Sequence, residues 1–168
     1  MKSVFQKVAV LVAAAPFAGC SEDRALPTGP ETVRLAVVAE APANQGAVTF
    51  DRQMRTEITQ TPQYVGDPDG RGEALITIDL GRRVVCWKLK VVRVLLPGTA
   101  AHIHLAPVGV RGPIAIGLSA PNASGNAVGC KEDQDPVVLQ HILDEPAAFY
   151  VNVHTTDYPA GAVRGQFK

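Results

Sequence analysis

Val85-Cys86-Trp87-Lys88-Leu89-Lys90-Val91 alternates without a break: Val85, Trp87, Leu89 and Val91 fall on one side, and Cys86, Lys88 and Lys90 on the other. Successive side chains of a strand point to opposite faces, so the stretch reads as a half-buried strand with Trp87 in a core and two lysines in water. The same period runs upstream through Ala74–Leu80, with Ile76, Ile78 and Leu80 opposite Leu75, and Gly81-Arg82 turns between the two. Earlier still, Val48, Phe50, Met54 and Ile58 share a face, with Arg52 and Thr56 as polar exceptions, in one strand or two shorter ones. Pro62–Gly72 is a turn cluster. Its Asp67-Pro68-Asp69-Gly70 lacks the remaining ligands and the distal Glu of a calcium loop and reads as a plain turn. Downstream, Ile114–Leu118 is another strand, Ser119–Val128 reads as a loop leading to Cys130, and two strands close the chain. Only Pro136–Glu145 reads as a helix: Leu139, Ile142 and Leu143 form a small apolar stripe, Pro146 stops it, and His141 is expected in solvent. The predicted fold class is all-β, an antiparallel β-sandwich with one short helix.

The chain has 168 residues, enough for one domain. Lys+Arg and Asp+Glu both number 16. With no basic excess and no basic run, nucleic acid is excluded as a partner. Residues 1–19 read as a signal peptide: Lys2 and Lys7 give a positive start, and Val8–Ala15 is apolar but too short to span a bilayer. Phe17-Ala18-Gly19-Cys20 resembles a bacterial lipobox, in which Cys20 becomes the lipid-bearing N-terminus; plain secretion is the alternative. Residues 20–46 read as a tether, with Val33–Val38 as a candidate edge strand, and residues 47–168 as the domain. The expected location is the cell envelope, with the membrane engaged through the lipid. With Cys20 assigned to the signal, Cys86 and Cys130 remain. In an exported chain an even pair is most simply a disulfide, and two buried free thiols are the alternative.

The chemistry sits in Ala101–Pro113, AHIHLAPVGVRGP, and in Phe149–Phe167, FYVNVHTTDYPAGAVRGQF. His102 and His104 are two apart on a strand and share a face, opposite Ile103 and Leu105. His154 shares a face with Asn152 and Tyr150, opposite Phe149, Val151 and Val153. Arg164 lies on the strand paired back against His154. The expectation is one polar patch of His102, His104 and His154, with Asn152, Tyr150 and Arg164 beside it, roofed by the loops at Gly109–Pro113 and Tyr158–Gly161. Ring nitrogens about 3–4 Å apart would fit a shared metal ion; wider separations, with the rings bonded to backbone, would favour histidines that hold strands and turns together within a polar core. An arginine beside three neutral histidines opposes a cation unless a carboxylate or an anionic ligand offsets it.

GDPDGRGEA, VCWKL, AAHIHLAPVGVRGPI, the Cys130 region and AAFYVNVHTTDYPAGAVRGQF resemble, in order and spacing, the CHRD domain, named for chordin and widespread in bacterial exported proteins. The resemblance covers about Ala47–Lys168 and implies a sandwich of immunoglobulin or copper/zinc superoxide dismutase-like type. Members often carry an acidic Glu-Val-Pro near the first strand, where this chain has Gln60-Thr61-Pro62. They often have a Gly soon after the His pair, where it has Ala106-Pro107.

The leading functional reading is an exported, lipid-anchored, non-catalytic interaction module with an extracellular protein or other ligand as partner. The alternative is a transition-metal site, copper or zinc, on His102, His104 and His154, with an open coordination position. A superoxide dismutase-like redox activity, with Arg164 steering a small anion, stands behind both, because no second His and Asp cluster is visible. Ser119 and Ser124 lack a nucleophile-elbow context, which disfavours a hydrolase.

Overall fold

Alternation of the kind seen at Val85–Val91 builds nearly the whole domain. The computed structural model describes residues 46–60 and 63–168. The signal peptide expected at 1–19, Cys20, the expected tether up to residue 45 and the Val33–Val38 strand expectation lie outside the described residues. In chain order the elements are β1 (Val48–Thr56), β2 (Ile58–Gln60), β3 (Gln63–Val65), β4 (Arg71–Asp79), β5 (Val84–Val92), β6 (Ala100–Leu105), β7 (Ile114–Leu118), β8 (Asn126–Lys131), α1 (Pro136–Asp144), β9 (Phe149–His154) and β10 (Val163–Gln166).

Eight strands form one antiparallel sheet in the order β7-β6-β9-β10-β1-β4-β5-β8, and β2 and β3 form a separate hairpin. The sheet has two four-stranded halves. They meet at a seam of two residue pairs, Arg55 with Arg164 and Thr56 with Val163. Both halves contribute to one apolar cluster: Met54, Ile76 and Leu89 from one, Ile103, Val151 and Val153 from the other. Phe50 of β1 stacks on Phe167 beyond β10, with ring centroids 5.0 Å apart. Each such side chain, fully buried, contributes about 1.5–3 kcal/mol relative to exposure. The fold is therefore the expected antiparallel, sandwich-like all-β domain with one short helix.

Helix α1 starts at Asp135, whose side chain accepts from the Val137 N–H at 2.8 Å, with Pro136 in the first turn. Leu139 and Ile142 are buried in the core. His141 is not fully in solvent: its ring packs edge-on against Phe149 at 4.9 Å. Trp87 is buried, and its indole N–H donates to Ser119 Oγ at 2.8 Å.

Four local expectations are corrected. The apolar face from Val48 does not continue to Ile58, which is 52 % exposed, whereas Glu57 is fully buried. Pairing of β1 with β4 ends at Met54, and the Glu57 N–H bonds the Ala162 carbonyl at 3.1 Å instead. The parity of the chain thus flips between β1 and β2. The Pro62–Gly72 cluster contains a strand, β3, ahead of a turn in which Asp67 Oδ1 accepts from the N–H of Asp69 and Gly70. Likewise the Ser119–Val128 loop ends early, at β8. Cys130 is opposite Cys86 on paired strands and the two form a disulfide, on the outer side of the sheet. Leu105, expected on an apolar face, stands exposed at the end of β6.

Candidate metal centre

Strand β9 is buried on both faces. Phe149, Val151 and Val153 enter the core, as their spacing predicts. Tyr150 and Asn152 on the other face are each 1 % exposed, because a polar layer covers them. Strand register builds that layer. His102 is opposite Asn152 and His104 is opposite Tyr150 across the β6–β9 pair. Arg164 is opposite Asn152 and Gln166 is opposite Tyr150 across the β9–β10 pair. Ala100 lies opposite His154, which therefore sits one step along from His102 on the same face.

The three imidazoles meet. One ring nitrogen from each of His102, His104 and His154 lies within 4.8 Å of the others. The shortest approach is His102 Nδ1 to His154 Nε2, at 3.1 Å. The roofing loops hold two of the rings. His104 Nδ1 is 2.9 Å from the Gly112 carbonyl, and His154 Nδ1 is 3.0 Å from the Pro159 carbonyl. A carbonyl only accepts, so both Nδ1 atoms carry the proton. Both Nε2 atoms are then lone pairs, and both aim at Asn152 Oδ1, at 3.1 Å for His104 and 3.0 Å for His154. A metal-binding histidine is held in this way, with one nitrogen fixed by a backbone carbonyl and the other free for the ion.

Burial keeps the rings neutral. It lowers His102 to about 4, with the neighbouring His154 and His104 adding to the effect. Burial also lowers His104, against the opposing bond to Gly112, and His154, against the opposing bond to Pro159.

Arg164 is a strut. Nη1 donates to Val110 O at 2.7 Å, and Nη2 donates to Pro107 O at 2.8 Å and Gln166 Oε1 at 2.7 Å. Its terminal nitrogens are committed to the 107–110 loop and β10, so the anion-steering role considered for it has no support in the geometry. Gly112 is also fixed by packing: a Cβ there would run into the Leu105 carbonyl.

Sequence reasoning brought His102, His104, His154, Asn152, Tyr150 and Arg164 into one patch and missed Glu57. Glu57 Oε2 accepts from Asn152 Nδ2 at 3.1 Å, and Glu57 Oε1 is buried with no hydrogen-bond partner. Burial raises the Glu57 carboxyl, while the bond from Asn152 and the charges of Arg164 and Arg111 pull it down. The residue near the first strand that bears on the site is thus Glu57, three positions before Gln60. The one signal available was the lapse of alternation at Arg55-Thr56-Glu57.

A family model described as the CHRD domain matches residues 53–167. No curated protein and no solved structure matches the chain.

Proposed function

The chain belongs to the CHRD domain family, and from that premise we propose that it is a binding module whose bound species is one transition-metal ion, copper or zinc, held by His102, His104 and His154. One observation carries the reading. His104 and His154 spend Nδ1 on the Gly112 and Pro159 carbonyls, so their Nε2 lone pairs converge beside His102. Neutral imidazole suits copper and zinc. The interaction-module reading is kept in narrower form, with a cation as the species bound. The proposal extends to export and a lipid-anchored tether at the cell envelope, supported by Lys2, Lys7, the apolar Val8–Ala15 run and Cys20.

The test is the metal content of the full chain, purified without a histidine tag, after equilibration with zinc or copper and removal of excess. One ion per chain is expected, lost in His102→Ala and His154→Ala variants that retain their β spectrum. A folded wild-type chain that retains neither metal would overturn the reading.

A further inference from the structure

Asn152 occupies the middle of the polar layer, bonded on one side to Glu57 and facing two histidine lone pairs on the other. Its Nδ2 donates to Glu57 Oε2, which leaves Oδ1 turned toward His104 Nε2 and His154 Nε2. Being 1 % exposed, the amide has no water to turn to. Three acceptor atoms so disposed repel one another, and a cation among them would relieve that repulsion.

We infer that Asn152 Oδ1 is the fourth ligand of the centre, completing an N₃O set with the three histidines, and that Glu57 is the positioning residue that aims this oxygen inward. The inference rests on the metal-binding reading above. Four ligands about 2.0–2.1 Å from a tetrahedral ion are separated from one another by about 3.3 Å. Three of the six separations are close to this, 3.0 Å and 3.1 Å from Asn152 Oδ1 to the two Nε2 atoms and 3.1 Å between His102 Nδ1 and His154 Nε2, while the histidine nitrogens as a set span up to 4.8 Å, so the rings would have to draw in around the ion. Glu57 supplies the carboxylate that a cation beside Arg164 requires. Its Oε1 has no hydrogen-bond partner, and positive charge one amide away would add to that of Arg164 and Arg111 in holding the carboxylate ionised. The fit behind it is tight: Gly161 has φ +129°, and a Cβ there would collide with Glu57 Oε2. A carbonyl-type oxygen among imidazoles favours a divalent ion, Zn²⁺ or Cu²⁺, over Cu⁺. Four protein ligands also close the position that three histidines alone would leave open.

The test uses Co²⁺ as the probe on the full-length chain, with azide as a competitor for any open position. Wild type should give the intense visible absorption of four-coordinate cobalt, unchanged by azide. Asn152→Ala should bind Co²⁺ about tenfold or more weakly, with a spectrum that azide now shifts. Asn152→Asp keeps an oxygen at the site and should stay insensitive to azide, which carries the test if the alanine variant does not fold. Glu57→Gln lets the amide reverse, and should weaken binding by about 10–100-fold and bring azide sensitivity with it. An azide-sensitive wild type, or an Asn152→Ala variant identical to it in affinity and spectrum, would overturn the inference while leaving the three-histidine site standing. A wild-type chain that takes up no Co²⁺, Zn²⁺ or Cu²⁺ would sink the metal reading itself, and the fourth ligand with it.

Discussion

The guanidinium carbon of Arg164 lies 3.3 Å from the centre of the Tyr150 ring, and that ring is stacked on His104 with centroids 4.8 Å apart and planes 6° from parallel. The cation thus connects the 107–110 loop to a histidine through an aromatic plate. Arg164→Lys keeps the charge and loses the planar fork that serves the Val110 and Pro107 carbonyls together. It should cost about 1 kcal/mol, because two part-buried carbonyls lose their donors. Urea unfolding of the two proteins measures the difference. A loss below a few tenths of a kcal/mol would show that the strut is dispensable.

The Cys86–Cys130 bond closes a 44-residue separation and ties β8, at one edge of the sheet, to β5. Cys86→Ser with Cys130→Ser should lower stability by about 2–5 kcal/mol. Thiol counting on denatured, unreduced wild type should find neither cysteine free.

Acid should unfold the domain through its histidines. His102 is held at about 4 in the folded protein, below its ordinary 6.5, so between these values the unfolded chain binds more protons. Stability is then greatest above about pH 6.5 and declines as pH falls toward about 4. His104 and His154, lowered by burial as well, act in the same direction. Melting temperature followed from pH 7 to pH 4 on metal-free protein should show this slope. His102→Gln should flatten it without abolishing it. A slope unchanged in that variant would remove His102 from the account.

Cys20 is expected to carry the lipid. Replacing it with Ser should abolish acylation, read by the mass of the mature N-terminal peptide, and release the protein from membranes. Unchanged membrane partitioning of Cys20→Ser would refute the anchor.

How far the sequence reached depends on the range of the physics involved. Strands β4, β5, β7 and β9 were legible because burial imposes a two-residue period on neighbours. The histidine patch was legible because parity puts His102 with His104 and Asn152 with His154. Glu57 escaped because its burial follows from a bond to Ala162, more than a hundred residues away, which no local pattern records. β3 and the start of β8 were hidden for a related reason. β3 is only three residues long among Pro and Gly, β8 begins at Asn126 straight after Gly125, and pairing with β2 and β5 makes them strands. The commitment of Arg164 to carbonyls at 107 and 110 was equally invisible, since a backbone acceptor leaves no mark on residue identity.

β10 follows every other described strand in the chain yet occupies an interior place in the sheet, between β9 and β1. During synthesis the two halves therefore wait, each with a bare edge, until residues 163–166 arrive to bridge them. A product truncated before Val163 would keep its three histidines but expose two adhesive borders.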